Sequence, residues 1–355
     1  MTEDLALAFG GEGTVRRWRL FRRQPPAGIV RKILGRLMLR EIALLGTSSG
    51  FLWPEPRSVN LKRVFLDPLY VSRSRLETSD IVVCHDIGPM THPEIYDSKT
   101  IDAYEKAYLK IGKAHPGIVF VSDASRIAFE ARFGTDFRFL KTISLYVRTG
   151  SLAGPSAPIS GIQRPFFLTV GALETRKNQR TAIEAFGSAG FARRGVSYIL
   201  CGPRGPGAEE IAAAAARTSG VKILGYVSDA ELRWLYREAS AFVLPSLLEG
   251  FGMPALEAAF HGLISIISQD SALAEAVNGV AIQVNPHSIS EIGEAMESVL
   301  VLSEKKRMEL KNALTVHARS ASRERFLACW QELLSSELDP YRWSQRPGKT
   351  LPLPK

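Results

Sequence analysis

The second half of the chain alternates short apolar runs with helical stretches, and this pattern restricts the possible fold more than any other feature. Runs typical of buried strands occupy residues 166–170, 197–201, 221–224, 241–244 and 263–268. Helical stretches separate them, around residues 178–186, 209–218, 229–239 and 254–261. Strands that alternate with helices of about 10–15 residues form parallel βαβ units. The pattern therefore predicts a doubly wound α/β domain.

The first half of the chain is less regular, but it contains the elements of a second domain of the same class. Ile81–Cys84 and Ile118–Val121 are predicted strands, and Tyr104–Lys113 is a predicted helix. The stretch from Thr149 to Gly161 is rich in Gly, Pro and Ser, which favours a linker. We therefore predict the division 1–150 for the first domain, 151–163 for the linker and 164–320 for the second domain.

The net charge of +9 is concentrated near the N-terminus, where residues 14–40 carry nine basic residues and no acidic one. Within this part, Gly28–Leu45 has apolar residues at helical spacing and a cationic opposite face. Two interpretations remain open: a core helix of the first domain, or a helix in residues 14–45 that binds an anionic membrane surface. Nucleic-acid binding is disfavoured because no recognised nucleic-acid module is present.

Composition excludes several other classes. No apolar run reaches the roughly 18 residues that a membrane span needs, and the first residues lack the features of a secretory signal. The three cysteines, Cys84, Cys201 and Cys329, are odd in number and far apart, which argues against a disulfide framework or a zinc site. We expect a cytoplasmic protein, peripheral to the inner face of the plasma membrane if the cationic helix binds lipid.

The segment Leu244–Glu257 places two glutamates, Glu249 and Glu257, eight positions apart around a Gly-Phe-Gly turn. It follows a predicted strand, and Pro254 suits the first turn of the next helix. Ligands of open α/β sheets bind at such strand ends, and helix N-termini bind anions. We therefore expect Glu249 on a loop and Glu257 in the first helical turn to face one ligand.

This segment, Pro-Ser-x-x-Glu-Gly-Phe-Gly-x-Pro-x-x-Glu-Ala, resembles the retaining nucleotide-sugar glycosyltransferases of family 4. The resemblance implies the GT-B architecture, in which two Rossmann-like doubly wound domains face each other across a cleft. It implies that Glu257 binds the ribose of the donor, and that Glu249 orients the sugar together with the backbone of Gly250, Phe251, Gly252 and Met253. It also implies a crossover helix in residues 321–338, followed by a tail at 339–355.

The second motif, Val170–Asn178, delivers Arg176 and Lys177 to the start of a helix after a strand that ends at Gly171. Two cations beside a helix N-terminus suit a diphosphate whose charge grows as a sugar departs. In the resembling family the Arg-Lys-Asn element binds the nucleotide diphosphate. Many members carry an arginine directly after the glycine, where this chain has Ala172, and Arg176 is our hypothesis for its replacement.

The third motif, Val82–Tyr96, contains His85 after a predicted strand and resembles the His-Asp-x-x-Pro-x-x-His-Pro-Glu segment of mannosyltransferase-like members. The resemblance implies that His85 contacts the donor sugar near its anomeric carbon. It further implies that Gly202, Tyr226 and Val227 border the nucleotide, and that Gly28 matches a glycine-rich loop near the diphosphate.

Together these motifs predict a retaining transferase without a cofactor or metal, since no Asp-x-Asp motif is present. The resemblance implies a nucleotide-sugar donor, in the first place GDP-mannose, with UDP- and dTDP-sugars left open. The predicted acceptor is a glycan or lipid-linked glycan of surface polysaccharide or O-antigen synthesis. The alternatives are a catalytically silent GT-B scaffold, a basic peripheral protein that binds anionic polymers, and a phosphorylase.

Overall fold

The computed structural model describes Asp4 and residues 63–71, 75–269 and 271–338, which form two α/β domains. The sheet of the first domain is parallel with strand order β1-β2-β3-β4. Its strands are β1 (Val64–Phe65), β2 (Ile81–Cys84), β3 (Gly117–Phe120) and β4 (Phe139–Thr142). Its helices are α1 (Pro68–Val71), α2 (Gly88–Thr91), α3 (Ser98–Ala114) and α4 (Asp123–Phe133), and α5 (Thr149–Leu152) follows on the way to the second domain.

The second domain has a six-stranded parallel sheet with strand order β10-β9-β8-β5-β6-β7. Its strands are β5 (Phe166–Val170), β6 (Ser197–Cys201), β7 (Val221–Leu224), β8 (Ala241–Leu244), β9 (Ser265–Ser268) and β10 (Ile282–Val284). Its helices are α6 (Gln179–Ser188), α7 (Ala208–Arg217), α8 (Asp229–Glu238), α9 (Met253–Phe260), α10 (Ala272–Ala276), α11 (Ile289–Leu300), α12 (Glu304–Ser320) and α13 (Arg323–Leu338).

The strand order of this second sheet reverses between β5 and β8, which are hydrogen-bonded neighbours. The chain proceeds from β5 outward through β6 and β7, and then returns to the other side of β5 with β8. Such a reversal opens a crevice at the carboxyl ends of the two central strands, where ligands of open α/β sheets bind. The loops that carry Lys177 and Glu249 follow these two strands.

Most of the predicted elements are present, with shifted ends. The predicted strand 263–268 begins only at Ser265, and the predicted helix 104–113 is part of a longer helix, Ser98–Ala114. Helix α8 begins with a reciprocal cap: the Ser228 hydroxyl accepts from the backbone N–H of Glu231, whose carboxylate accepts from the backbone N–H of Ser228 in return. This reciprocal capping satisfies two backbone donors that the helix itself leaves unpaired.

The connection between the domains is bound closely to the second domain. The buried Arg233 guanidinium on α8 donates to the carbonyls of Ser151 and Pro155, at 2.6 and 2.7 Å. Ala321, between α12 and α13, accepts a hydrogen bond at its carbonyl from the backbone N–H of Val147. The segment that leaves the first domain and the segment that returns to it are therefore directly hydrogen-bonded. Helix α13 then packs against the first domain, where the Phe326 ring lies 5.2 Å from the Tyr146 ring.

Some predictions fall outside the described residues. Gly28, the amphipathic segment 14–45 and the tail 339–355 are among them, so the glycine-rich loop and the membrane-binding helix stay predictions. Among the helices that the structure describes, none combines the length and apolar character needed to cross a bilayer.

Candidate active site

The centre of the site is an ion pair between the loops that follow β5 and β8. Lys177 Nζ donates to Glu249 Oε1 at 2.7 Å, and the two side chains are only 6% and 8% exposed. Arg176 donates to Glu249 Oε2 at 3.1 Å, so each carboxylate oxygen has a cationic partner. Of the four residues predicted to act on the diphosphate and the donor sugar, the structure therefore brings together Arg176, Lys177 and Glu249, while His85 lies apart from this ion pair.

The electrostatics of this cluster keep Glu249 ionised. Burial alone would raise the pKa of the Glu249 carboxyl, but Lys177 and Arg176 outweigh that effect and hold the pKa below its ordinary value. On its other side Arg176 pairs with Glu174, with Nε 2.7 Å from Oε2. Two cations and two anions thus compensate one another at the switch point of the sheet.

The Lys177 loop is held by the amide side chains of Asn178 and Gln179. The Gln179 amide donates to the carbonyl of Ala172 at 2.9 Å and accepts from the N–H of Glu174 at 3.0 Å. Asn178 adopts a left-handed conformation with φ of 55°, and its amide donates to the carbonyls of Pro245 and Pro286. Because Pro245 directly follows β8, this residue ties the loops of the two central strands together.

At two positions predicted to lie beside the donor, Gly171 and Gly202, close packing of the strand ends requires a glycine. Gly202 follows β6 with φ of 153°, and a β-carbon on it would collide with the carbonyl of Gly171. Gly171 follows β5 with φ of 135°, and a β-carbon there would lie 3.1 Å from Lys177 Cε. Any side chain at these positions would fill the space between neighbouring strand ends or displace Lys177.

Glu257 lies on α9, with a position that differs from the prediction. The helix begins at Met253 with Pro254 in its first turn, and it has no acidic residue in that turn. Glu257 is therefore in the second turn, because Gly252 as the N-cap starts the helix one residue earlier than expected. Its carboxylate accepts a hydrogen bond from the Tyr236 hydroxyl at 2.9 Å.

Burial raises the pKa of Glu257, and the Tyr236 hydroxyl and Arg148 offset this only in part. Arg148 belongs to the segment that connects the two domains, immediately before α5. The environment of Glu257 is thus shared between the second domain and the connection. This location suits recognition of a ligand that lies where the domains meet.

The loop between Glu249 and α9 lies directly against the first domain. The Ser122 hydroxyl at the end of β3 donates to the carbonyl of Gly250 at 2.7 Å. The Ser125 hydroxyl donates to the carbonyl of His85 at 2.8 Å and lies 3.3 Å from the same Gly250 oxygen. The carboxyl ends of β2 and β3 therefore face that of β8, and His85 lies beside the glycine-rich turn.

The His85 ring is engaged with its own domain. Its Nε2 lies 3.0 Å from the carbonyl oxygen of Leu66, which can only accept, so Nε2 carries the hydrogen. In a neutral imidazole of this tautomer, Nδ1 is the nitrogen that can accept a hydrogen bond. The structure places the His85 backbone in contact with the site but shows no hydrogen bond from its ring to Lys177 or Glu249.

The remaining predicted residues surround the same edge of the sheet. Tyr226 follows β7 and is 94% exposed, whereas Val227 is partly buried against the core. The N–H of Gly202 donates to the carbonyl of Leu224, which brings this loop next to the ends of β5 and β6. Phe251 is buried, and Gly252 has φ of 98° where a β-carbon would strike Leu273.

Part of the chain is similar to a known protein family. Residues 158–315 match the family described as Glycosyl transferases group 1. This range contains Lys177, Glu249 and Glu257. The protein is a glycosyltransferase with a group 1 domain. Its similarity to named relatives extends beyond the matched range.

Two Escherichia coli relatives of this glycosyltransferase are named as mannosyltransferases. O-antigen chain mannosyltransferase B is 28% identical over 275 residues, which cover 73% of this chain and 72% of the relative. Serotype-specific mannosyltransferase WbdA is 28% identical over 255 residues, which cover 67% of this chain but only 31% of that relative. The chain thus spans about a third of the length of WbdA.

Solved structures show the fold of the glycosyltransferase. The UDP-forming α,α-trehalose-phosphate synthase of Burkholderia vietnamiensis superposes with a TM-score of 0.62 at 13% identity, covering 87% of this chain and 78% of that one. The E. coli trehalose-6-phosphate enzyme bound to UDP-2-fluoroglucose gives 0.62 at 15% identity, covering 95% and 85%. The predicted GT-B arrangement of two parallel-sheet domains is confirmed.

Sequence reasoning assigned no role in ligand binding to three side chains that lie around the candidate site of the glycosyltransferase, namely Asp86, Tyr236 and Glu275. Tyr236 and Glu275 were not predicted, and Asp86 was predicted only to fix its loop by hydrogen bonding. Asp86 accepts from the N–H of Gly88 at 2.8 Å, and burial raises the pKa of its carboxyl. The place of Asp86 next to His85 after a strand was its signal, but nothing in the sequence marks the other two.

Within the part of the chain that the structure describes, no group of three or more His, Cys, Asp or Glu side chains is arranged to hold a metal ion. Metal independence and the absence of a cofactor remain predictions. Cys84 and Cys201 are free and buried, and burial raises the pKa of the Cys201 thiol to about 11.

Proposed function

We propose that this glycosyltransferase moves mannose from GDP-mannose onto a glycan acceptor of O-antigen or surface polysaccharide synthesis, with retention at the anomeric carbon and without a metal ion. The observation that carries the proposal is the Lys177–Glu249–Arg176 cluster at the point where the strand order reverses. The names of the two mannosyltransferase relatives support the choice of sugar.

In the proposed reaction, Lys177 and Arg176 neutralise the diphosphate as its charge grows. The bond between the anomeric carbon and the diphosphate oxygen breaks, and the acceptor oxygen bonds to the same face of the sugar. The proton of the acceptor hydroxyl passes to the leaving diphosphate, so that GDP and the extended glycan are the products. Positioned cations that stabilise a leaving group supply a large part of the rate enhancement in such reactions.

The two glutamates take different parts in this proposal. Glu249, ionised between the two cations, accepts hydrogen bonds from sugar hydroxyls once the donor has displaced part of its pairing with them. Glu257 accepts hydrogen bonds from the ribose hydroxyls. Tyr226, exposed beside the ends of β6 and β7, is available to cover the base.

The donor base can be identified by thermal unfolding in the presence of GDP, UDP, dTDP or ADP. A ligand that binds only the folded state at 100 times its Kd stabilises the protein by about 2.7 kcal/mol. We expect GDP to raise the Tm most. A larger shift with UDP or dTDP would contradict the GDP assignment, and no shift with any of them would contradict the donor site.

Turnover is tested through the slow hydrolysis of GDP-mannose by the purified protein. We expect Lys177→Ala to lower the rate by roughly 10²–10³, the loss typical of removing one charge-stabilising donor. Arg180→Ala is the matched control, because Arg180 is an exposed cation on α6 that pairs with Glu184. An unchanged rate in Lys177→Ala would exclude the proposed role of the cluster.

A further inference from the structure

The Tyr236 hydroxyl is a buried polar group whose partner belongs to the proposed donor site. Tyr236 is 1% exposed, and its hydroxyl donates to Glu257 Oε2 at 2.9 Å. Burial, together with the neighbouring Glu257 carboxylate, raises the pKa of Tyr236 well above its ordinary value. The phenol therefore keeps its proton and acts as a permanent donor to Glu257.

The position of this hydroxyl is set by three elements. Tyr236 lies near the end of α8, and its ring stacks on His261 at the end of α9, with centroids 5.5 Å apart and planes at 15°. The same ring lies 6.4 Å from Phe242 of β8. A ring packed in this way has little rotational freedom, so the direction of its hydrogen bond is determined by the core.

The hydrogen bond makes the two oxygens of the Glu257 carboxylate inequivalent. Oε2 is bound by Tyr236, whereas Oε1 has no hydrogen bond to any residue within the described ranges. A carboxylate held by one oxygen presents the other in a defined direction, whereas a free carboxylate samples several rotamers. The conformational entropy of the Glu257 side chain is then lost when the protein folds and not when a ligand binds.

We propose that Tyr236 is a positioning residue that orients Glu257, so that its free carboxylate oxygen accepts a hydrogen bond from the ribose of the nucleotide. This proposal rests on the proposed function, since it assumes that Glu257 meets the ribose. In this proposal Tyr236 does not contact the transferred sugar. It predicts that loss of the hydroxyl affects recognition of the ribose and leaves binding of the diphosphate intact.

The test compares GDP with 2′-deoxy-GDP, and UDP with 2′-deoxy-UDP, in the full chain by calorimetry. A hydrogen bond to a charged group corresponds to roughly 10- to 100-fold in affinity, so the wild-type protein should prefer the ribonucleotide by at least about tenfold. In Tyr236→Phe we expect this preference to fall to about threefold or less. The affinity for the deoxynucleotide should be unchanged.

Tyr198→Phe provides a matched control. Tyr198 is also fully buried in the second domain, and its hydroxyl lies 2.6 Å from the Thr169 hydroxyl, away from Glu257. This variant removes one buried phenolic hydroxyl from the same fold and should keep the full ribose preference. If Tyr236 contributed to stability alone, Tyr236→Phe would lower the Tm and would weaken the binding of the ribonucleotide and of the deoxynucleotide equally.

The outcomes separate this inference from the proposed function. If the wild-type protein binds no nucleotide of either pair, both proposals fail. If the wild-type protein prefers the ribonucleotide and Tyr236→Phe does so equally, only the role of Tyr236 is overturned. Should Tyr236→Phe not fold, a structure of the wild-type protein with GDP decides: a Tyr236 hydroxyl detached from Glu257 would overturn the inference, and an intact bond with a ribose hydroxyl on Oε1 would support it.

Discussion

Lys177 Nζ and Glu249 Oε1 lie 2.7 Å apart, although 72 residues separate them in the chain. Both side chains are almost completely buried, and Arg176 and Glu174 complete a cluster with no net charge. Removing ions from water costs several kcal/mol each, and pairing must compensate for this cost. In the free protein, therefore, the two cations proposed for the diphosphate are already neutralised by carboxylates that the donor must displace or share.

This relationship predicts opposite effects of Glu249→Gln on binding and on turnover. Affinity for GDP should increase by roughly five- to tenfold, because even in water a neighbouring like charge at about 4 Å costs an anion about 1 kcal/mol. Hydrolysis of GDP-mannose should fall, because Glu249 no longer orients the sugar. Calorimetry and a product assay measure the two quantities. Glu184→Gln on the exposed surface is the control, and weaker GDP binding by Glu249→Gln would contradict the prediction.

Gly202→Ala should destabilise the second domain by about 1–3 kcal/mol, since its backbone conformation is strained for other residues and its β-carbon would meet a carbonyl. The neighbouring Gly225 serves as the control, because a β-carbon there would have nothing within 4 Å. Urea unfolding of both variants measures the difference. Equal stability of Gly202→Ala and Gly225→Ala would show that the strand ends can separate without cost.

Glu275→Gln should loosen the contact between the domains. The Glu275 carboxylate, from the second domain, accepts from the backbone N–H groups of Asp123 and Ala124 at 2.7 and 2.5 Å, at the N-terminus of α4 in the first domain. A carboxylate at a helix N-terminus contributes about 0.5–2 kcal/mol. We expect a larger radius of gyration in solution scattering for the variant.

Glu291→Gln is the comparison for this measurement, because Glu291 accepts from the backbone of Asn285 within the second domain alone. Its loss should lower stability slightly and leave the radius of gyration unchanged. If Glu275→Gln has the same radius as the wild-type protein, the capping contact does not hold the domains together.

Because of His261, the protein should be less stable in mild acid than at neutral pH. Burial, with Arg237 and Arg233 nearby, lowers the pKa of His261 to about 4 from an ordinary value of 6.5. Protons therefore bind the unfolded chain in preference to the folded one, and stability falls as the pH decreases from about 6.5 to about 4. Urea unfolding at pH 7 and pH 5 should show a smaller loss for His261→Phe than for the wild-type protein.

The exposed His287 is the control for this pH dependence, because His287→Gln should retain the full loss of stability in acid. If His261→Phe loses as much stability between pH 7 and pH 5 as the wild-type protein, the acid sensitivity comes from other groups. The Glu249 carboxyl cannot account for a change in this window, since its pKa is lowered from 4.5 and its contribution is lost only below that value.

Much of the second domain could be predicted because its signals are local. The strand Phe166–Val170 and the capping of α8 by Ser228 depend on residues within a few positions of one another. The strand Ile282–Val284 was missed because three residues are too few to show a period. Glu257 was predicted in the first turn of α9 but lies in the second, because the helix begins at Met253, one residue before the predicted start at Pro254.

The amino-acid sequence by itself determined the alternation of strands and helices and the motifs at the strand ends, because hydrophobic periodicity and turn residues act over short distances. Only the tertiary structure decided which of these ends lie side by side. The adjacency of β5 and β8 pairs Lys177 with Glu249, and the packing of α8 on α9 gives Glu257 its bond to Tyr236. Such contacts depend on the order of strands in the sheet, which no local pattern encodes.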